Sequence, residues 1–306
     1  MDKLNDKLKG VSNKTPQKRK QYLSIFLILP ALALILLTIG YPISQMIYLS
    51  FRDYNLLMRP KTLLRFIGIT NYVYAITNQN FRHSVVITLV YALLVTSIGY
   101  IIGLLSALLL NSLQIKAKGF FNLSVCLPWA IPGAIIAYVF LLLFQSPGGI
   151  ISYWISKIGL DVNWFTQILP SLYLIVIATV WGGFPFITIG LLAGLQSIPN
   201  ELYEAALIDG ASTFKKFFYI TLPALNSITA VLLILTVSSA FRSFSIIWIL
   251  TAGGPLRFTE TLGINLYKEA FSNFNFGYAS SMGVITLLIN MLIIFIYIRL
   301  MKKEFY

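Results

Sequence analysis

Of the 306 residues, 58% are hydrophobic and only 11% are charged, and the mean hydropathy is +0.81. Such a composition excludes a soluble globular domain, and the lack of short alternating strands argues against a β-barrel. The formal net charge of +13 has no separate basic domain to sit on. It therefore reflects membrane topology and contact with anionic lipid rather than nucleic-acid binding.

Residues 1–21 form a basic, polar tail to which no chemistry is assigned. Six segments then meet the requirement of about 20 largely apolar residues for a span: about 22–41, 85–110, 119–144, 171–195, 224–250 and 281–300. The first follows Lys18-Arg19-Lys20, as a secretory signal would. Its apolar run is too long, however, and Ala31-Leu32-Ala33 lies in its middle, so it is expected to be an uncleaved span. The single histidine, His83, stands beside Arg82 at the start of the second span, as an interfacial anchor rather than a metal ligand. The single cysteine, Cys126, lies inside the third, which excludes an intrachain disulfide and a cysteine-based metal site. The expected fold is an all-α membrane domain over residues 22–306 with six transmembrane helices.

None of the ten acidic residues falls within a predicted span, so a proton relay at membrane depth has no carboxylate to use. Sodium coupling through backbone carbonyls stays open. No G-x-x-x-x-G-K-[ST] stretch occurs, so the chain has no P-loop, and no nucleophile–base arrangement suggests an enzyme.

Between the fourth and fifth spans, residues 196–222 (QSIPNELYEAALIDGASTFKKFFYITL) form a polar island. The spacing predicts two short helices joined at Asp209-Gly210. Ser197 is expected to cap the first helix, with Pro199 in its opening turn, and the second begins near Ser212 or Thr213. Phe214, Phe217, Phe218 and Thr221 then share one face. A helical hairpin held between two spans suits docking into a groove of a partner. With the N-terminus inside, the cytoplasmic segments carry 14 Lys and Arg in about 64 residues, against 8 in about 99 on the other side. Both termini and the island are therefore expected in the cytoplasm.

Glu204-Ala205-Ala206, Asp209-Gly210-Ala211 and Ile220-Thr221-Leu222-Pro223 resemble the EAA loop of importer-type ABC transporter permeases. The resemblance extends from about residue 25 to the C-terminus. It includes Ser50-Phe51-Arg52-Asp53-Tyr54, Gly68, Asn71-Tyr72, Phe81, Trp181-Gly182-Gly183-Phe184-Pro185 and Leu250-Thr251-Ala252-Gly253-Gly254-Pro255. Tyr267-Lys268-Glu269-Ala270-Phe271 and Phe276-Gly277-Tyr278-Ala279-Ser280 also fit the carbohydrate-uptake, maltose/glycerol-3-phosphate branch.

The resemblance implies a non-catalytic permease subunit for sugars or oligosaccharides in a bacterial or archaeal plasma membrane. Its partners would be a second permease, generally non-identical, two ABC ATPase subunits that hold the ATP and Mg, and an extracytoplasmic substrate-binding protein. It implies no cofactor on this chain. By family position, Glu204 is the charged contact to the ATPase, Ala205 and Ala206 permit close approach, and Asp209-Gly210 sets the turn. Phe217 and Phe218 would be apolar anchors. Trp181, Gly183, Phe184, Ser238, Phe241, Arg242 and Ser243 are candidates for substrate contact. An arginine inside a span costs roughly 2.5–3.5 kcal/mol, so Arg242 should face a cavity or a partner. Two readings stand: it binds an acidic sugar, or it pairs with the companion permease or with backbone carbonyls. The rivals to an importer are a sodium-coupled secondary transporter and a passive channel, and neither accounts for the hairpin.

Overall fold

The computed structural model describes residues 28–57, 64–112 and 118–302. The basic tail and the start of the first predicted span lie outside them. Among the described residues, four helices are long and apolar enough to cross a membrane: α1 (Ile28–Ser50), α3 (Gln79–Ser112), α7 (Ile168–Gln196) and α13 (Phe276–Lys302). Between α1 and α3 come the two-residue antiparallel strands β1 (Arg52–Asp53) and β2 (Arg65–Phe66), then α2 (Thr70–Thr77). Two bent helix pairs raise the number of candidate spans to six if each pair counts as one.

The first span does not stop near residue 41 as expected. Pro42 lacks the N–H that a helix interior requires, and the chain meets this with a π-helical turn at Leu36–Gly40 and continues to Ser50. The third span is not one rod. Helix α4 (Lys118–Cys126) passes into a 3₁₀ turn at Leu127–Ala130, and α5 (Gly133–Phe144) leaves at 95°. Ile131 precedes Pro132 and is extended (φ −85°, ψ 127°), as the ring of a following proline demands.

Helix α6 (Ile150–Lys157) occupies the next loop. After α7 come α8 (Asn200–Ile208) and α9 (Thr213–Ala224), the latter meeting α10 (Asn226–Phe241) at 64°. The fifth span, expected to run unbroken from 224 to 250, stops at Phe241 and resumes as α11 (Ser245–Thr251). Here the final turn tightens into i→i−3 bonds, Arg242 N to Ser239 O and Ser243 N to Ala240 O, both 3.1 Å. Helix α12 (Leu262–Tyr267) precedes α13.

The core sits where α3 and α7 cross. At Gly103 an added Cβ would lie 2.7 Å from Ile187 Cγ2, so the small residue permits the close approach. One apolar cluster gathers Tyr91, Leu174, Ile175, Ile247, Ile264 and Met282. A second, toward the α8–α9 end, gathers Ala107, Leu191, Leu195, Ile198, Leu225 and Leu232. The breaks in the third and fifth segments open against the first of these clusters, and that is where the site forms.

Candidate functional site

The break between α10 and α11 and the broken α4–α5 segment face the middle of α7 across an open cavity of about 340 Å³. Its polar wall is Thr179, Thr236, Ser239, Arg242 and Ser243, and Trp129 and Ile246 supply apolar surface. A second recess of about 310 Å³ shares Trp129, Gly183, Thr236, Ser239 and Arg242 with the first. Phe186 lines this recess and stacks on Trp129, with ring centroids 6.2 Å apart. Both volumes fall in the roughly 300–1,000 Å³ range of small-molecule sites.

Three of the sequence candidates, Gly183, Arg242 and Ser243, meet on this wall. The other four do not line it. Trp181 and Gly183 are two residues apart on one helix and point in different directions; Trp181 packs toward Phe140, with centroids 6.0 Å apart. Phe241 is buried in the core, Phe184 packs against it, and Ser238 Oγ is buried without a hydrogen-bond partner among the described residues.

Behind the wall stands the fully buried Tyr91. Its hydroxyl donates to Ser243 Oγ at 3.0 Å and lies 2.8 Å from Thr179 Oγ1, which ties α3, α7 and the α10–α11 break together. Trp129, Thr179, Thr236, Ser239 and Tyr91 escaped the sequence reading. Two signals pointed to some of them: a hydrophobic segment interrupted by proline, and a polar stripe at helical spacing through Thr236, Ser239 and Ser243.

The 196–222 island is a helical hairpin. Ser197 does not cap α8 but ends α7, donating from Oγ to Gly194 O at 2.8 Å, and Pro199 holds the N-cap position of α8. The reason is steric order: Pro199 must begin the helix, so Ser197 falls two residues before the N-cap position. At the other end, Gly210 N bonds Leu207 O (3.1 Å) and Ala211 N bonds Ala206 O (2.8 Å). These are the two bonds of a Schellman cap, with Gly210 at φ +71° in the left-handed position. Ser212 caps α9 by accepting from Lys215 N.

The inner side of the hairpin is tied down by Ile198, Tyr203 and Ile220, which pack on the second cluster. Tyr203 Oη also lies 3.0 Å from Thr221 Oγ1, joining α8 to α9. The outer side carries exposed Glu204, Leu207, Ile208, Phe214 and Tyr219. Phe214 and Phe218 pack with centroids 4.7 Å apart, and Phe217 and Phe218 at 5.1 Å.

At the opposite end of the bundle the remaining motif residues converge. Asn71 Nδ2 donates to Ser50 O and Arg52 O, and Gly277 N donates to Tyr54 O at 3.0 Å. Glu260, 1% exposed, is held by Arg257 and by Lys268 Nζ, the latter at 2.8 Å. His83 Nε2 lies 3.2 Å from Arg257 O. Among the described residues, no group of three His, Cys, Asp or Glu could hold a metal ion.

Comparison with known proteins agrees with this architecture. Residues 99–304 match the family described as binding-protein-dependent transport system inner membrane component. The chain is 35% identical over 286 residues to the trehalose/maltose transport system permease protein MalF of Thermococcus litoralis, covering 92% of this chain and 94% of that one. It is 31% identical to the sulfoquinovosyl glycerol transport system permease protein SmoG of Agrobacterium fabrum, covering 92% and 91%. Among solved structures, its fold is similar to that of a bacterial ABC transporter involved in import of the acidic polysaccharide alginate. There the TM-score is 0.80 at 23% identity, over 93% of this chain and 96% of that chain. Permeases of this type carry no cofactor and hydrolyse no ATP, the ATPase being a separate subunit. The chain belongs to the binding-protein-dependent transport system inner membrane components, as a multi-pass permease subunit of an ABC importer.

Proposed function

We propose that this permease imports sugars or oligosaccharides through the cavity between α7, the broken α4–α5 segment and the α10–α11 break. Residues 22–306 would form its transmembrane domain, in a bacterial or archaeal plasma membrane. The relatives named for trehalose/maltose and for sulfoquinovosyl glycerol support the substrate class. Aromatic faces beside hydroxyls and a guanidinium support it chemically, since a sugar ring has an apolar face and a rim of hydroxyls. Trp181, Phe184, Ser238 and Phe241 would then shape the packing around the cavity, while Gly183, Arg242 and Ser243 meet the solute.

The observation that carries the coupling is the two-sided hairpin. Its inner side is packed into the bundle, and its outer side presents Glu204 with Leu207, Ile208 and Phe214. Exposed apolar residues beside a charge suit a groove on the ATPase. Ala205 and Ala206 allow close approach there, Asp209-Gly210 sets the turn, and Phe217 and Phe218 brace Phe214. The 16 residues of α10 make a rod of about 24 Å running from the hairpin to Arg242. Movement of the hairpin would therefore reach the cavity as rigid-body rocking, giving alternating access. A second, non-identical permease chain, two cytoplasmic ATPase subunits and an extracytoplasmic binding protein complete the assembly, with both termini of this chain in the cytoplasm.

The test is purification from the native membrane in mild detergent, with identification of the accompanying chains. A P-loop ATPase and a second permease-like chain are expected. Glu204→Lys, an exposed change that disturbs no packing, should weaken ATPase retention. A chain that came out alone in several mild detergents, yet moved solute in vesicles without ATP, would overturn the proposal.

A further inference from the structure

We propose that the transported sugar carries an anionic group, a carboxylate, sulfonate or phosphate, received by Arg242 and Ser243. This rests on the sugar-permease reading above and adds the charge of the solute. Arg242 is the one ionisable side chain on the walls of either recess, and no acidic residue faces it there. Among the described residues its guanidinium makes no ion pair and no side-chain hydrogen bond. The C-terminal end of α10 supplies about half a negative charge nearby, but this leaves the five guanidinium donors without acceptors. A cationic group facing a cavity at membrane depth is costly unless something pairs with it.

The hydrogen-bond polarity behind the wall points the same way. Tyr91 has one hydroxyl proton and gives it to Ser243 Oγ at 3.0 Å. Thr179 Oγ1, 2.8 Å from the same oxygen, must then be the donor in that contact. Ser243 has accepted a proton from behind, so its own hydroxyl proton is free to be given to the cavity. Arg242 and Ser243, adjacent at the helix break, thus form a local donor pair. An anionic oxygen is the acceptor that such a pair binds most strongly. Ser239 and Thr236, about one and two turns back on α10, can meet neutral hydroxyls, and Trp129 the ring face.

The experiment uses the purified complex of this chain with its companion permease and ATPase subunits, without the binding protein, whose own selectivity would mask the result. Binding of a galacturonate disaccharide and of its carboxyl-reduced, neutral counterpart is measured by equilibrium dialysis. The acidic sugar should bind about tenfold or more tighter. Arg242→Gln should abolish that ratio by weakening the acidic sugar about tenfold more than the neutral one, and Arg242→Lys should restore part of it. Equal binding of the two sugars by the native complex overturns the inference and leaves the sugar-permease reading standing. So does a loss on Arg242→Gln that is equal for both sugars, or a loss of the companion chain, which would make Arg242 an inter-subunit contact. Failure to bind either sugar, in a complex whose ATPase is still stimulated by a binding protein carrying a different class of solute, overturns the sugar reading and this inference together.

Discussion

Adjacent glycines in α7, both on the cavity wall, differ at the scale of one residue in the room beside them. A Cβ on Gly182 would lie 2.6 Å from Ile136 Cδ1, whereas one on Gly183 meets nothing within 4 Å. Gly182→Ala should therefore cost about 1 kcal/mol through overpacking, eased by the mobile end of Ile136, and should lower the melting temperature. Gly183→Leu instead projects into both recesses. It should leave the melting temperature unchanged while solute binding falls by about tenfold, or 1.4 kcal/mol. Equal stability losses for the two variants would show that Gly183 is packed and does not face the cavity. Tyr91→Phe removes the hydroxyl that holds Thr179 and Ser243. Its expected effect is about 1 kcal/mol of stability and a larger proportional loss of solute uptake.

Among elements, the α8–α9 hairpin depends on Gly210. Proline there loses the bond to Leu207 O and cannot adopt φ +71°. Gly210→Pro should release the ATPase on size-exclusion chromatography while the bundle, anchored by Ile198 and Ile220, stays folded by circular dichroism. At the other end, the loop after α11 passes through Leu256 and Arg257 at φ +47° and +67°, conformations that non-glycine residues hold only when the surroundings enforce them. Buried Glu260 does the enforcing, through Arg257 and Lys268. Glu260→Ala leaves two half-exposed cations without their acceptor, at a cost of about 2 kcal/mol. Faster proteolysis between residues 252 and 262 is the expected sign, and unchanged protection would assign the loop's shape to its other contacts.

For the whole molecule, orientation is the open quantity that charge alone predicts. The hairpin and the Glu260 loop lie at opposite ends of the bundle, and the Lys and Arg excess predicts that the hairpin is on the inside. With Cys126 changed to serine, Lys215→Cys should react with a membrane-impermeant thiol reagent only in inverted vesicles, and Leu256→Cys only in intact cells. The reverse pattern would invert the topology and end the coupling proposal.

Much of this organisation was legible in the chain because it is written locally. The second, fourth and sixth apolar runs, the Asp209-Gly210 break and the start of α9 near Ser212 depend on residues within a few positions of one another, and the structure has them where the spacing put them. The motif residues from Glu204 to Pro223 carried the family for the same reason. Ser197 was misread because a capping residue is defined by the turn after it, and Pro199 moved that turn. The expected ends and continuity of the first, third and fifth spans failed at Pro42, at Pro128 with Pro132, and at Arg242–Phe244. The prolines were visible, but whether one bulges, bends or breaks a helix depends on what packs against it. The last break has neither proline nor glycine to announce it. The cavity lay beyond the sequence for a further reason. Tyr91, Trp129, Thr179 and Ser243 are far apart in the chain, and which side of each helix faces its neighbours was invisible because nearly every side was apolar. Hydrophobicity by itself determined that this protein crosses a membrane, and a local motif determined its family. Only the packing of α3, α7 and the two broken segments decided which polar side chains share one space, because that contact is set by shape and not by periodicity.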